Sequence, residues 1–289
     1  MANIPAKPIF RESIPTLFIM LLALLWAGWS LQLDPADLIP ESSYLVVAKN
    51  FFTRAFLPAL NYEDPTVPIG TEPLLVKALR AAGMTVVLAA AAISLAIPFG
   101  LFLGFFCSQS WWKSLPHGNS KARVVRGICF SIYLLFKSFS ATIRSVHELL
   151  WAVLFLSAFG VSQLSAVLAI TIPYGGMLAR VFSELLDEAV QGPADALRAT
   201  GASPLQTFLF GLFPVALPDL CSYTLFRFEC GLRSSAILGF FGYPTLGYFI
   251  SASFENLYYG EVWTYLYTMF GLVLLTDWCS KQLRQRLHY

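Results

Sequence analysis

The sequence predicts an all-α integral membrane protein with about six transmembrane helices, and three observations lead there. Hydrophobic residues make up 57% of the 289 residues and charged residues only 12%. That is about half the charged share of a soluble chain, too little polar surface to clothe a water-facing globule. The apolar residues gather in runs near the roughly 20 residues a helix needs to cross the hydrocarbon layer. The segments between the runs also differ in charge, as a bilayer with two unlike sides requires. Such hydrophobicity excludes disorder. Five scattered cysteines with no CxxC pair exclude a disulfide-stapled fold, and a net charge of +2 gives no footprint for nucleic acid.

The expected spans follow in order. Ile14–Leu31 is apolar and preceded by Lys7 and Arg11. With Trp26 and Trp29 where a small-residue cleavage site would lie, it reads as an uncleaved first helix. Met84–Cys107 is alanine-rich. The stretch Val124–Gly160 would reach about 55 Å as one straight helix, so it must tilt, kink or lie partly in the interface, and it counts as one crossing. Leu164–Phe182, Ala216–Phe240 and Val262–Trp278 complete the six. The 32–73 segment holds Asp34, Asp37, Glu41, Glu63, Asp64 and Glu72 against Lys49 and Arg54, and a short helix is expected over Ser43–Leu57. The 108–126 segment holds Lys113, Lys121, Arg123 and Arg126 and no acid. Lys and Arg concentrate on the cytoplasmic side, which places both termini, 108–126 and 183–215 there and the acidic loop outside. The chain is therefore read as residues 1–74, a first helix with its external loop, and residues 75–289, a membrane core with an elbow at 188–215.

That elbow is the most structured of the polar segments. Pro193 suits a first helical turn, and Gly201 can take the left-handed conformation that ends a helix. Ser203 can cap a following helix with Pro204 at its first position and Gln206 at its third. Pro214 and Pro218 then redirect the chain into the fifth span. The result is a short stiff lever suited to a soluble partner.

Here the chain resembles the permease subunits of bacterial ABC importers. Their pattern is Glu-Ala-Ala, three residues, Gly, nine residues, Ile, one residue, Leu-Pro. This chain places Asp195-Ala196-Leu197, Gly201, Gly211 and Phe213-Pro214 at that spacing. The segments ALRATGAS (196–203), RSVHELLWAVLF (144–155) and SYTLFRFECGLRSSAILGFFG (222–242) are similar to the phosphonate-type branch, and the resemblance covers about 75 to 282. Two departures stand out: His147 lies where that branch usually has proline, and Gly242–Gly247 replaces a more glycine-rich run. The resemblance implies a type I ABC importer permease that pairs with a second copy of itself. It further implies two copies of a cytoplasmic ATPase, which bind the ATP and Mg, and a periplasmic binding protein in the bacterial inner membrane system. This chain itself carries no GxxxxGK[ST], so no cofactor and no enzyme activity are expected of it. The ATPase contact is expected at Asp195, Ala196, Arg198, Thr200, Gly201, Ala202 and Ser203.

Charge at bilayer depth is costly and needs a reason. Arg144 with Glu148, and Glu229 with Arg233, are spaced to pair on one helical face, with His147 beside the first pair. Arg227 has no such partner in its own span. It is read either as pairing with Glu148, Glu229 or a residue across the dimer, or as a guanidinium for a passing oxyanion. These six residues are the candidates for the translocation pathway. Lys137 is expected to snorkel, Gly175 and Gly176 to permit close helix packing, and Tyr258 to Tyr267 to form an interfacial aromatic belt. The cargo implied by the resemblance is a small phosphorus oxyanion: phosphonate, phosphite or hypophosphite. The alternatives are import of another small solute, or a secondary transporter that needs no ATPase. A membrane enzyme would require a clustered nucleophile and base or metal ligands, and His117, His147 and His288 are too far apart for the latter.

Overall fold

The computed structural model describes residues 9–32, 42–68, 70–113 and 120–287. Lys7, Asp34, Asp37, Glu41, His117 and His288 lie outside the described residues. The chain forms two compact units, Met1–Thr53 and Arg54–Tyr289. The first contains α1 (Ile9–Ser30) and most of α2 (Ser42–Ala55). The second is built from α3 (Leu74–Cys107), α4 (Gln109–Lys113), α5 (Ser120–Ser145), α6 (Glu148–Phe159), α7 (Gln163–Glu188), α8 (Gly192–Ala199) and α9 (Pro204–Gln206). A π-helical turn (Thr207–Leu212) leads into α10 (Phe213–Ile237), and a 3₁₀ turn (Leu238–Phe241) precedes α11 (Leu246–Glu255) and α12 (Tyr259–Leu287). The described residues contain no strand.

Among the described residues, four helical columns are long and apolar enough to cross a bilayer: Leu74–Cys107, Val124–Ser145, Gln163–Glu188 and Thr207–Phe241. The apolar part of α1, Pro15–Ser30, is shorter, and α12 has length without the same apolarity. The 124–160 stretch is broken rather than straight. Its helix stops at Ser145, and His147 restarts it as the N-cap of α6, Nδ1 accepting from the Leu149 amide at 3.3 Å. The 12-residue α6 spans about 18 Å, well short of a crossing. An unforeseen short helix, α11, occupies the loop expected between the fifth and sixth spans.

The core is the seam between α3 and α7. Apolar side chains gain nothing by leaving lipid for protein, so helices associate there by close packing of small residues. On α3 that face is Ala89, Ala92, Ala96, Gly100 and Gly104, and on α7 it includes Ala166, Ala169, Gly175 and Ala179. A Cβ on Gly100 would lie 2.6 Å from the Leu178 Cβ, and one on Gly104 would lie 3.1 Å from the Ala179 carbonyl. Thr171 adds a hydrogen bond across the seam, its hydroxyl donating to the Ala92 carbonyl at 3.1 Å. On the other side of α7, Ser140 of α5 donates to the Gly176 carbonyl at 3.0 Å. At the far end Tyr243, buried at 2% exposure, ties the turn after α10 to the start of α7 through Ser165, 2.8 Å away.

Gly100→Val places a branched side chain into this contact. It is expected to destabilise the fold by about 1–3 kcal/mol, read as a lost monodisperse peak in detergent chromatography. Gly83→Val, on the same helix with nothing within 4 Å of a Cβ, is expected to leave the peak unchanged.

Candidate functional site

Two regions hold the functional candidates. The first is the elbow. Pro193 sits in the first turn of α8, where its missing N–H costs nothing. Ala194 faces inward at 1% exposure, while Asp195, Ala196, Arg198, Thr200, Gly201 and Ser203 are exposed and Ala202 is half-buried. Arg198 and Asp195 pair at 2.7 Å along the outer face. The helix ends in a doubly bonded left-handed turn. The Gly201 amide donates to the Arg198 carbonyl at 3.0 Å and the Ala202 amide to the Leu197 carbonyl at 3.1 Å. Gly201 has φ +84°, a conformation that a Cβ strains. The next helix opens with a reciprocal cap: the Ser203 amide donates to Gln206 Oε1 at 2.9 Å and the Gln206 amide to Ser203 Oγ at 3.3 Å. The expected turn chemistry is present at each of these positions.

What the sequence did not reveal is how the elbow is anchored. Thr207–Leu212 winds as a π-helix, with the Phe213 amide reaching back to the Phe208 carbonyl. This turn presents Gly211 to α8, where a Cβ would lie 2.9 Å from the Ala194 Cα. Glycine in place of the usual Ile is therefore a packing requirement: the two backbones meet where a side chain would stand. Phe208 meets Phe105 near the end of α3 edge-to-face at 4.7 Å. Just before the elbow, the Asp187 carboxylate accepts from Ser108 Oγ at 2.7 Å and from the amides of Gln109 and Ser110 at 3.0 and 2.8 Å. The ends of α3 and α7 are thus clamped where the elbow begins. The Thr207 hydroxyl is buried with no hydrogen-bond partner among the described residues.

The second region is the intramembrane charge, where both same-helix pairings are corrected. Arg144 and Glu148 do not share a helix, because the break at 146–147 separates them. Glu148 instead lies 3.7 Å from His147 Nε2 and accepts from Ser234 Oγ at 2.9 Å. Glu229 turns away from Arg233 and pairs with Arg284 of α12 at 2.8 Å, leaving Arg233 exposed on α10. Arg227 forms no ion pair with Glu148, Glu229 or any other described carboxylate of this chain. Its Nε donates to Tyr223 Oη at 3.1 Å, a second N–H reaches the Met177 thioether, and the guanidinium lies over the rings of Tyr174 (5.2 Å) and Tyr223 (5.7 Å). Tyr174 Oη is 2.9 Å from Ser234 Oγ. Arg227, Tyr174, Ser234, Glu148 and His147 thus form one chain of contacts across α10, α7 and α6. Tyr174, Tyr223 and Ser234 carry no charge and so gave no signal in the sequence.

Lys137 donates to Tyr133 Oη at 2.7 Å. Among the described residues no group of three His, Cys, Asp or Glu side chains is gathered to hold a metal.

Comparison with known proteins places this geometry. The chain resembles the phosphite transport system permease protein PtxC of Stutzerimonas stutzeri, 27% identical over 201 residues, 70% of this chain and 68% of that protein. The phosphate-import permease protein PhnE of Mycolicibacterium smegmatis is 25% identical over 236 residues, 82% of this chain and 41% of that protein. An inward-facing structure of the MetNI methionine ABC transporter shares the fold, with TM-score 0.56 and 21% identity over 74% of this chain and 96% of that one. An amino acid ABC transporter structure does likewise, with TM-score 0.57 and 18% identity over 73% and 94%. The fold is that of a type I ABC importer permease. The binding-protein-dependent transport system inner membrane component family matches residues 96–289, well over half of the sequence, and the chain belongs to that family.

Proposed function

We propose that this chain is the membrane-spanning subunit of an ATP-driven importer of a small phosphorus oxyanion, working by alternating access. It pairs with a second copy and sits on two cytoplasmic ATPase subunits that hold ATP and Mg. It receives cargo from a periplasmic binding protein, and both of its termini are cytoplasmic. The observation that carries this reading is the elbow. An exposed helix of eight residues is closed by a left-handed glycine and seated backbone-to-backbone on a π turn that runs directly into α10. Such a lever moves as one piece with the helix behind it. A force applied to Asp195, Arg198 and Thr200 would therefore reach Arg227, 14 residues along α10 from Phe213.

The phosphorus oxyanion is supported by the names of the relatives and by the state of Arg227. A guanidinium held by aromatic faces and a phenol, without a carboxylate, keeps its charge available to an anion. Its remaining N–H groups suit a tetrahedral oxyanion. A passing contact of this kind has to be weak, because a tight one would trap the cargo.

The overall test is ATP-dependent uptake of phosphite or a phosphonate by proteoliposomes holding this chain, its ATPase and its binding protein. Uptake by this chain alone, driven by an ion gradient, would overturn the reading. Gly201→Val forces a branched residue into the left-handed turn at about 1–2 kcal/mol. It is expected to lower uptake about tenfold while ATP hydrolysis continues, whereas Gly192→Ala changes neither. Arg227→Gln removes the charge-assisted bonds, about 1.5–3 kcal/mol. Uptake is expected to fall about 10- to 100-fold with dimer and ATPase assembly intact, and normal uptake would remove Arg227 from the pathway.

A further inference from the structure

The break between α5 and α6 lies deep in the bundle. Ser140, near the end of α5, bonds the carbonyl of Gly176 at the middle of α7 (Gln163–Glu188). The chain then leaves helical geometry at 146–147 and restarts with His147 as the N-cap of α6. Non-helical backbone at bilayer depth persists only where protein buries it or water reaches it. The His147 side chain is 62% exposed. The chain itself therefore leaves the break open, and the imidazole there is within reach of the protons that water carries.

Both ring nitrogens are engaged. Nδ1 accepts from the Leu149 amide at 3.3 Å, which caps the first turn of α6, and Nε2 lies 3.7 Å from the Glu148 carboxylate. Only a neutral ring can cap in this way, because a protonated ring carries N–H on both nitrogens and has no acceptor. Histidine is the side chain that exchanges these two forms between about pH 5 and 8. On protonation the Leu149 amide loses its acceptor. A positive charge also arrives at the N-terminal end of a helix, where the macrodipole opposes it. Glu148 gains a cationic partner, and closing the 3.7 Å gap draws its carboxylate away from Ser234 Oγ, which donates to it at 2.9 Å. The lost cap and the displaced carboxylate act together: both loosen the join of α6 to α5 and α10.

Besides Glu148, the neighbouring elements bring few charged or titratable groups. On α5 Arg144 stands three residues earlier, across the break. On α7 Tyr174 reaches Glu148 only through Ser234, with Arg227 lying over its far side. On α10 Arg233, beside Ser234, is exposed. The 238–241 turn packed against α6 carries none. We propose that His147 is a proton-operated catch on the α5–α6 break. Neutral, it caps α6 and holds the break in the form described here. Protonated, it releases the cap, takes Glu148 and lets α6 reorient about residues 146–147. Trp151 reports the state of the catch, because its Nε1 donates from α6 back across the break to the Ile143 carbonyl of α5 at 3.3 Å.

The test is ¹⁹F NMR of the full chain, labelled with 5-fluorotryptophan, in zwitterionic nanodiscs between about pH 5 and 8.5. The Trp151 resonance is assigned by its loss in Trp151→Phe. In the unaltered chain it is expected to shift with pH in a single titration step. His147→Asn keeps an acceptor for the Leu149 amide but gains no charge, so the resonance is expected to stay at its high-pH position throughout. His147→Lys carries the charge without the acceptor, so the resonance is expected at its low-pH position throughout. A Trp151 resonance that does not move with pH, a step that persists in His147→Asn, or a high-pH position in His147→Lys would each overturn the catch. Because the readout needs neither ATP nor transport, it fails or succeeds separately from the uptake experiment that tests the importer reading.

Discussion

The rest of the second unit depends on the seam of small residues between α3 and α7. In lipid there is no hydrophobic penalty to drive two helices together, so only intimate backbone approach holds them. Gly100 and Gly104 allow that approach, and the buried alanines on both helices continue it. The consequence reaches beyond stability. With α3 and α7 fixed against each other, α5 and α6 pack on the free sides of α7, and α10 is positioned against both α3 and α7. Arg227 therefore meets Tyr174 and Met177 of α7, and Glu148 meets Ser234, because α7 is a rigid reference for both.

The seam also supplies what the proposed action of the elbow on a long helix requires. A lever transmits motion only if its fulcrum does not yield. In the proposed mechanism the fulcrum would be the Asp187 clamp, one carboxylate accepting three hydrogen bonds from the corner between α3 and α4. Charge-assisted bonds of this kind are about twice as strong as neutral ones. Beyond it, α8 and the π turn are joined by the contact between Ala194 and Gly211, which leaves no room for the two pieces to slide. A π turn is an uncommon element that often marks functional sites. In this chain it sets the register in which α10 leaves the elbow, and the unsatisfied Thr207 hydroxyl is buried at its first position.

The parts of this arrangement legible in the sequence are those governed by local chemistry. The apolar runs located the long columns. Pro193, Gly201, Ser203 and Gln206 specified the elbow because each determines its own turn within a few bonds. The charge partners were not legible, for a physical reason. Pairing by i, i+4 presumes an unbroken helix and no better offer. His147 caps a new helix between Arg144 and Glu148, which invalidates the first condition. Arg284, 55 residues from Glu229 in sequence, defeats the second by reaching it from another helix. Helix α11 was hidden because its ten residues are too few for a span and its segment carries no Lys or Arg. The glycine at position 211 looked like a departure from a motif, and only the position of α8 explains it.

Several of the described cations differ in the company they keep. Arg284, Arg198, Arg180 and Arg80 each face a carboxylate. Arg227 and Lys77 instead lie over aromatic rings. A carboxylate partner would neutralise the charge and compete with any incoming anion for the same N–H groups. An aromatic face does neither: the quadrupole attracts the cation by about 0.5–2 kcal/mol while leaving its hydrogen bonds open. In the proposed pathway this would fix the side chain in place at little loss of affinity for a passing anion. It would also leave that affinity modest, since one partly hydrated cation binds an oxyanion weakly. For a protein that must release whatever it accepts, a cation braced by tyrosine and phenylalanine serves better than one braced by glutamate, and better than a deep cluster of several cations.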